Sequence, residues 1–150
     1  MAVTAEQIMQ LREKTGISVM ECKKALTEAD GDMERAIVIL REKSAASAAK
    51  KQDRELGAGT VSAYVHSNAQ VGALVLLSSE TDFVSKNEEF VALARDIAMH
   101  ASAMRPASVE EVLTQEFIKD PTKTVGALLS EATQKFGERI VLSKLDIFSV

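Results

Sequence analysis

The sequence predicts an α+β fold in which a three-helix bundle precedes a small antiparallel β-sheet covered by helices. Three observations lead to this prediction. The first part of the chain has capped amphipathic helical segments, the second part has strand patterns between helices, and an alanine- and lysine-rich stretch joins them. We therefore expect a three-helix docking module over residues 1–41, a helical linker over residues 42–56 and an α+β core domain over residues 57–150.

Each of the first three helices begins at a residue whose side chain can cap a helix N-terminus. Thr4 precedes Gln7 by three residues, which is the spacing of a capping box. Ser18 and Glu21 repeat that spacing, and Asp32 is placed to cap the third helix. Apolar residues recur on one face of each helix, as expected for a bundle with a small common core.

The second part of the chain begins with two strand patterns that predict a β-hairpin. Val61, Ala63 and Val65 alternate with polar residues, which predicts a strand with these three side chains in the core. Residues 71–78 are mostly apolar and predict the returning strand after a four-residue loop. Residues 139–148 predict a closing strand for the same small sheet.

Three helices are predicted to cover this sheet. The longest spans residues 85–104, and Ser85 and Glu88 have the capping-box spacing at its start. A short helix begins at Ser108, and an amphipathic helix spans residues 125–136. Together with the strands, these helices give an α+β layer arrangement.

Charge and composition argue against nucleic acid as a ligand. The formal net charge is −4, and residues 56–150 carry all of the excess negative charge. Nucleic-acid-binding proteins usually cluster Lys and Arg on one face and use aromatic rings for base stacking. This chain has one Tyr, five Phe and no Trp. We therefore expect no direct binding to nucleic acid.

The sequence also predicts a cytoplasmic location. The chain contains no run of about eighteen apolar residues, so we expect no membrane span. Its N-terminal residues lack the basic and apolar regions of a signal peptide. A single cysteine excludes an internal disulfide and is typical of a protein in a reducing compartment.

Few side chains are candidates for catalysis or metal binding. They are Cys22, His66, Asp82 and His100, and none of them has a metal-ligand spacing. The chain has no glycine-rich phosphate-binding loop and no nucleophile elbow. We therefore expect no cofactor, no metal site and no catalytic residue. Cys22 is predicted to be a buried, unreactive thiol, and His100 a core or interface residue.

The most informative segment is Thr81-Asp82-Phe83-Val84, which lies between the second strand and the longest predicted helix. Regular elements on both sides are expected to hold it in place. A large apolar ring beside a carboxylate on such a turn is suited to insertion into a partner protein. The alternative, which periodicity alone favours, is that Phe83 folds back into the core.

Six segments carry a resemblance to a known family. They are residues 11–16, residues 20–26, residues 30–32 with Ala36, residues 81–84 with Asn87 and Phe90, residues 123–125, and residues 136–140. In sequence, order and spacing they resemble bacterial translation elongation factor Ts, in its short form. The resemblance covers residues 5–105 and resumes at about residue 121.

The resemblance implies a guanine-nucleotide exchange factor for the GTPase elongation factor Tu. The family segment that matches Thr81, Asp82, Phe83 and Val84 enters between two helices near the magnesium site of the GTPase and displaces the ion. Phe83 would insert there, with Asp82 as its polar partner. The N-terminal module would be ubiquitin-associated-like and dock on a helix of the GTPase domain. Further implied contacts are Arg12, Met20, Lys23, Lys24, His66, Phe136 and Gly137.

The chain also departs from longer members of that family. It has one copy of the core domain, and residues 105–121 predict only a brief helix where more is expected. Short members form homodimers through their sheets, and an unpaired apolar edge at residues 71–77 or 139–148 would favour association. We therefore predict a homodimer.

Two other functions stay open from the sequence. The first is a protein-interaction module that lacks exchange activity because its core is abridged. The second is a small acid/base enzyme built around Asp82 and His66.

Overall fold

The computed structural model describes residues 2–150, and the chain forms two compact units. The first comprises Met1–Gln52 and Ser130–Gly137, and the second comprises Asp53–Leu129 and Glu138–Val150. The predicted α+β class is confirmed, since three helices precede a small antiparallel sheet with further helices. The domain boundaries inferred from the sequence stay a prediction.

Three capped helices open the first unit. They are α1 (Ala5–Thr15), α2 (Val19–Glu28) and α3 (Met33–Lys50). The predicted caps are confirmed, because the side chains of Thr4, Ser18 and Asp32 each accept a hydrogen bond from the backbone N–H three residues later. α3 continues through most of the predicted linker without a break. The high helix propensity of its alanines explains this length.

The core of the first unit is small and aliphatic. Its buried residues are Leu11, Ile17, Cys22, Ala25, Leu26, Ala29, Ala36 and Leu40. Gly16 ends α1 with a φ of 70°, a left-handed conformation that costs a residue without Cβ little. This tight reversal allows α2 to begin three residues later and to bury its inner face against α1.

The remaining elements follow in chain order. They are β1 (Ala58–Val65), β2 (Val71–Ser79), α4 (Asp82–Ser85), α5 (Glu88–Met104), α6 (Val109–Thr114), β3 (Glu116–Phe117), β4 (Asp120–Thr124), α7 (Val125–Phe136) and β5 (Val141–Ser149). The predicted hairpin is confirmed by the antiparallel pairing of β1 and β2. α7 ends at Phe136, and Gly137 follows it with a φ of 72°.

β2 is the central strand of the main sheet. The strand order is β1-β2-β5, and both strand pairs are antiparallel. Ala73, Val75 and Leu77 of β2 are buried on the face that packs against α5, which contributes Phe90. Residues 71–77 therefore leave no free edge, whereas β5 lies at one edge of the sheet.

The prediction that Val61, Ala63 and Val65 face the core is wrong. Val61 and Val65 are 64% and 66% exposed. The register places Ser62 opposite the buried Val75, so the polar side chains of β1 share the inner face of the sheet. Alternation identifies two faces of a strand, and the register with its neighbour decides which of them is buried.

The other face of the sheet is consequently exposed and mostly apolar, with the charged side chains of Lys144 and Asp146 on its β5 strand. We call the following residues the outer sheet face: Val61, Ala63, Val65, Leu74 and Phe148. Gly72 pairs with Val65 on one side and with Phe148 on the other. Because Gly72 has no side chain, these neighbours border a shallow cavity of about 410 Å³. Contiguous exposed apolar surface of this kind is typical of an interaction site.

The helix predicted over residues 85–104 is confirmed as α5, but it begins at Glu88, three residues later than predicted. α4 ends at Ser85, and α5 follows Asn87, whose side-chain oxygen accepts a hydrogen bond from the Glu89 N–H at 2.9 Å. Ser85 is therefore not the cap of the long helix. Its backbone carbonyl accepts a hydrogen bond from the Thr60 hydroxyl at 2.6 Å, a tertiary contact that the local spacing does not reveal.

Residues 105–121 contain more structure than the brief helix that the sequence predicted. After α6, β3 and β4 form an antiparallel pair with Phe117 opposite Asp120. β3 has two residues and β4 contains Pro121, so neither has a recognisable strand pattern. Phe117 is buried, which fixes the pair on the second unit.

His100 is a buried residue on α5, as predicted, and it positions the β3–β4 pair. The Ile118 N–H donates a hydrogen bond to its Nδ1 at 3.1 Å, so Nδ1 is the unprotonated nitrogen. Its Nε2 then donates to the Gln115 side-chain oxygen at 2.9 Å. One ring thus satisfies polar groups on both sides of β3.

No helix within residues 2–150 combines the length and the apolar character needed to cross a bilayer.

Replacing His100 with Leu is expected to lower the free energy of unfolding by about 1–3 kcal/mol, because Ile118 and Gln115 lose their partner. Urea denaturation followed by circular dichroism measures the change. The exposed His66 provides the matched control, and His66→Leu is expected to change stability by less than about 0.5 kcal/mol. Equal losses in the two variants would contradict the positioning role of His100.

Candidate functional site

Phe83 is the most exposed large side chain of the segment that the sequence singled out. It is 86% exposed, whereas the adjacent Val84 is 6% exposed. Thr81 is the N-cap residue of the one-turn helix α4, and Asp82 is its first residue. The core interpretation of Phe83 is therefore wrong, because Val84 supplies the inward apolar contact. A partner that covered the ring would gain roughly 1.5–3 kcal/mol of hydrophobic free energy.

Glu138 fixes the start of α4. Its Oε1 accepts a hydrogen bond from the Thr81 N–H at 3.0 Å, and its Oε2 accepts one from the Thr81 hydroxyl at 2.7 Å. The Thr81 carbonyl in turn accepts a hydrogen bond from the Ser79 hydroxyl at 2.9 Å. At the other end of α4, the Thr60 hydroxyl of β1 donates a hydrogen bond to the Ser85 carbonyl. Both ends of this short helix are therefore held by tertiary hydrogen bonds. An isolated single turn of helix would not be stable.

A second layer of polar contacts supports this arrangement. The Glu80 carboxylate accepts a hydrogen bond from the Arg139 N–H at 2.9 Å and lies 3.4 Å from the Arg54 guanidinium. The Arg139 guanidinium donates to the Arg54 carbonyl at 2.8 Å. These contacts connect Glu80, which follows β2, with Arg54, which precedes β1, and with Arg139, which precedes β5. They keep the segment that carries Phe83 in one conformation.

The Asp82 carboxylate is accessible to a partner. It forms an ion pair with Lys86 at 3.2 Å, and the two side chains are 74% and 78% exposed. Ion pairs this exposed contribute little to stability because water and salt screen them. Asp82 can therefore exchange Lys86 for another cation or hydrogen-bond donor at small cost.

The other predicted contact residues in the first unit lie on helix surfaces. Met20 is 66% exposed on α2, and Lys23 and Lys24 follow it at the i+3 and i+4 positions of the same face. Lys24 also pairs with Glu21 at 3.2 Å. Arg12 is exposed on α1.

Phe136 and Gly137 lie at the C-terminal end of α7 in the first unit. Phe136 is half-buried, and the Lys135 ammonium lies 5.8 Å from its ring centre. Gly137 is exposed and adopts a left-handed conformation. The next residue, Glu138, is the one that binds Thr81.

His66 lies at the opposite end of the hairpin from Asp82. The register pairs Val65 with Gly72 at one end and Ala58 with Ser79 at the other. Seven strand steps separate these rows, which amounts to more than about 20 Å. The acid/base interpretation that combined Asp82 with His66 is therefore wrong.

Cys22 is buried, as the sequence predicted. Burial in the core raises the pKa of its thiol above the ordinary value, and this effect outweighs the opposing influence of the Thr15 hydroxyl and the Arg12 charge. Its Sγ lies 3.6 Å from the Ile17 carbonyl oxygen. A protonated, enclosed thiol of this kind is unreactive. Within residues 2–150, no three His, Cys, Asp or Glu side chains are grouped so that they could hold a metal ion.

Sequence reasoning found the exposed segment but missed the residues that hold it. Each supporting residue contacts a partner that is distant in the sequence. The separations are 57 positions for Glu138, 59 for Glu80 and 25 for Thr60. Spacing within one element cannot reveal such contacts. The one available signal was that Glu138 lies in a segment that resembles the same family as Thr81–Val84 does.

The structure is that of an α+β protein with an exposed aromatic ring, Phe83, on a well-supported helical turn. Residues 80–150 match the family model described as elongation factor TS. Over 149 residues, which is 99% of its length, the chain is 45% identical to Elongation factor Ts of Trichlorobacter lovleyi. The match covers 48% of that protein, so the chain spans about half the length of the curated relative. Both comparisons confirm the resemblance to the elongation factor Ts family that the sequence motifs indicated.

Replacing Glu138 with Ala is expected to lower the free energy of unfolding by about 1 kcal/mol, because Thr81 loses two hydrogen bonds to a carboxylate at a partly exposed position. Amide hydrogen exchange across residues 81–84 should accelerate more than exchange in the sheet. Glu116→Ala removes an exposed carboxylate from β3 and serves as the control. Unchanged exchange at residues 81–84 would show that Glu138 does not hold α4.

Proposed function

We propose that this protein is a guanine-nucleotide exchange factor that binds elongation factor Tu·GDP and promotes GDP release during translation elongation. The observation that carries the proposal is the 86% exposure of Phe83 on a helix tied at both ends. Similarity to elongation factor Ts supports the identity of the partner. That similarity also supports a cytoplasmic location.

The proposed activity requires no bond chemistry on the part of this chain. A nucleotide leaves a GTPase slowly because phosphate and magnesium contacts retain it. A factor that binds the nucleotide-free state more tightly lowers nucleotide affinity by the same ratio. Thr81, Asp82, Phe83 and Val84 form the segment that we propose disturbs the magnesium site.

Rigidity makes this segment suited to the task. If α4 had to become ordered on binding, part of the binding energy would be lost to that ordering. The contacts of Thr81 with Glu138 and of Ser85 with Thr60 already order it. Insertion of Phe83 can then act on the partner, while Asp82 offers a carboxylate beside the ring.

Further contacts are proposed at three places. Arg12, Met20, Lys23 and Lys24 form a basic and apolar surface on α1 and α2 that would dock on a helix of the GTPase domain. The lysines would mainly accelerate association, because exposed charges steer encounter more than they hold a complex. His66 is proposed to contact a more distal part of the partner. Phe136 and Gly137 are proposed as additional contacts near the nucleotide site.

A homodimer is proposed on the basis of the outer sheet face. Phe148 is 79% exposed there, and Val61 and Val65 are each more than half exposed. A second copy of the chain offers an equally apolar face, and packing two such sheets together would remove both from water.

A protein-interaction module without exchange activity is the second candidate. It stays open because residues 105–121 are abridged in comparison with longer members of the family. Under this alternative the protein would bind elongation factor Tu and leave the rate of GDP release unchanged.

Release of a fluorescent GDP analogue from elongation factor Tu tests the proposal. The wild-type protein is expected to accelerate release, and Phe83→Ala to reduce the acceleration by roughly tenfold or more, because the ring contributes its burial energy only to the complex. Since Phe83 is exposed, its unfolding free energy should change by less than about 0.5 kcal/mol.

Val91→Ala is the matched control, since Val91 is an exposed apolar residue on α5. It should retain the wild-type rate. No acceleration by the wild-type protein, with binding preserved, would favour the interaction-module alternative. Loss of activity in both variants would contradict a specific role for Phe83.

Sedimentation at micromolar concentration tests the homodimer. The wild type is expected to sediment as a dimer and Phe148→Glu as a folded monomer, because the new carboxylate would replace an apolar contact beside Val65 and lose water in the interface. Val38→Glu places the same charge at an exposed valine on α3 and should leave the dimer intact. A wild-type monomer would overturn the proposal.

A further inference from the structure

A cavity in the second unit lies away from the segment that carries Phe83. Its volume is about 400 Å³. It is enclosed by the turn of the β1–β2 hairpin, the C-terminal end of α5 and the turn between β3 and β4. The lining residues that matter for its chemistry are Tyr64, His66, Gln70, Met99, Arg105 and Ile118.

The charge of this cavity is opposite to that of the whole chain. The chain has a net charge of −4, yet the residues that line the cavity include no Asp or Glu. Arg105 brings a permanent cation. Within residues 2–150 the structure gives Arg105 no ion pair with a carboxylate. A lone guanidinium beside a concave surface favours a carboxylate ligand.

The backbone of Arg105 provides an independent observation. Arg105 is the C-cap of α5 with φ 47° and ψ 55°, in the left-handed region. Gly or Asn normally occupies such a position because a Cβ is unfavourable there. Strained conformations of other residues are concentrated at functional sites. The backbone of Arg105 therefore adopts an unfavourable conformation directly beside the cavity.

His66 adds a second donor at the same cavity. Its Nδ1 lies 3.3 Å from the Tyr64 hydroxyl, which can donate to it. In that arrangement the Nε2–H of His66 is available to an external acceptor. The adjoining turn is ordered, because the Asn68 side chain accepts a hydrogen bond from the Gln70 N–H at 3.0 Å.

The cavity also has a pre-formed apolar wall. Met99 of α5 and Ile118 line it, and the hydrogen bond from the Ile118 N–H to the buried His100 holds Ile118 in place. The Ser102 hydroxyl lies 3.5 Å from the Tyr64 carbonyl oxygen, next to the hairpin. A ligand that combines a carboxylate with an aliphatic group would match both halves of the cavity.

We propose that this cavity binds an acidic peptide segment of the GTPase partner. The carboxylate of one Glu or Asp side chain pairs with Arg105 and accepts a hydrogen bond from His66, and a neighbouring aliphatic side chain packs against Met99 and Ile118. The inference rests on the proposed function, because it assigns the cavity to that partner.

Affinity for elongation factor Tu·GDP, measured by calorimetry, is the first test. Arg105→Gly is expected to weaken binding roughly tenfold, because a charge-assisted hydrogen bond is lost. Glycine suits a φ of 47°, so the variant should be at least as stable as the wild type, and misfolding cannot explain the loss. Arg105→Lys should retain part of the affinity. Arg95→Gln removes an exposed charge from the same helix and should have no effect. Unaltered binding by Arg105→Gly would overturn the proposal.

A second test does not depend on the GTPase. The blocked dipeptide acetyl-Leu-Glu-amide is titrated into the ¹⁵N-labelled protein and followed by NMR. It should shift the amide signals of Gln70, Val71 and Ala103, whereas acetyl-Leu-Gln-amide should not, and Arg105→Gly should abolish the shifts. If the wild type fails to bind elongation factor Tu but shows these shifts, the proposed function fails and the acidic-ligand site stands. If neither peptide shifts the cavity residues, the site is overturned whatever the exchange assay shows.

Discussion

The register of β1 on β2 is the constraint on which the surfaces of this protein depend. It places Ser62 opposite Val75 and so turns the small polar side chains of β1 toward α5. A slip of one residue would bury Val61 and Val65 and expose the polar side chains instead. The same register sets which residues meet at each end of the hairpin. One pairing pattern thus determines which side chains form the outer sheet face and which lie at each end of the hairpin.

The two ends of the hairpin present different chemistry. At one end Phe83 projects from a helix that Glu138 and Thr60 hold in place. At the other, His66 and Arg105 border a cavity with an apolar wall. Both features are fixed before any partner arrives, so a partner need not order them. The sheet between these two proposed contact regions keeps their separation constant, which would suit recognition of a large partner at two points.

Local signals predicted most of the elements, whereas tertiary contacts decided the exceptions. The caps at Thr4, Ser18 and Asp32 were predictable because a cap and its acceptor lie within one turn. Ser85 had the same local signal, yet a hydrogen bond from Thr60 placed it inside α4. The burial of β1 was inverted for a related reason, since alternation alone does not choose a face. At the site, Phe83 could be singled out from sequence, but its exposure depends on Val84 filling the core position beside it.

The first unit is discontinuous in the chain, and this has a consequence for biosynthesis. Its last segment, Ser130–Gly137, follows Met1–Gln52 only after the ribosome has made most of the second unit. Ser44, buried on α3, donates its hydroxyl hydrogen bond to Gln134, 90 residues later. The nascent helices can form early, because their caps and core lie within the first forty residues. Ser44 on α3 must wait for Gln134 on α7, so a newly made chain holds an incomplete first unit until the ribosome has added residues 130–137.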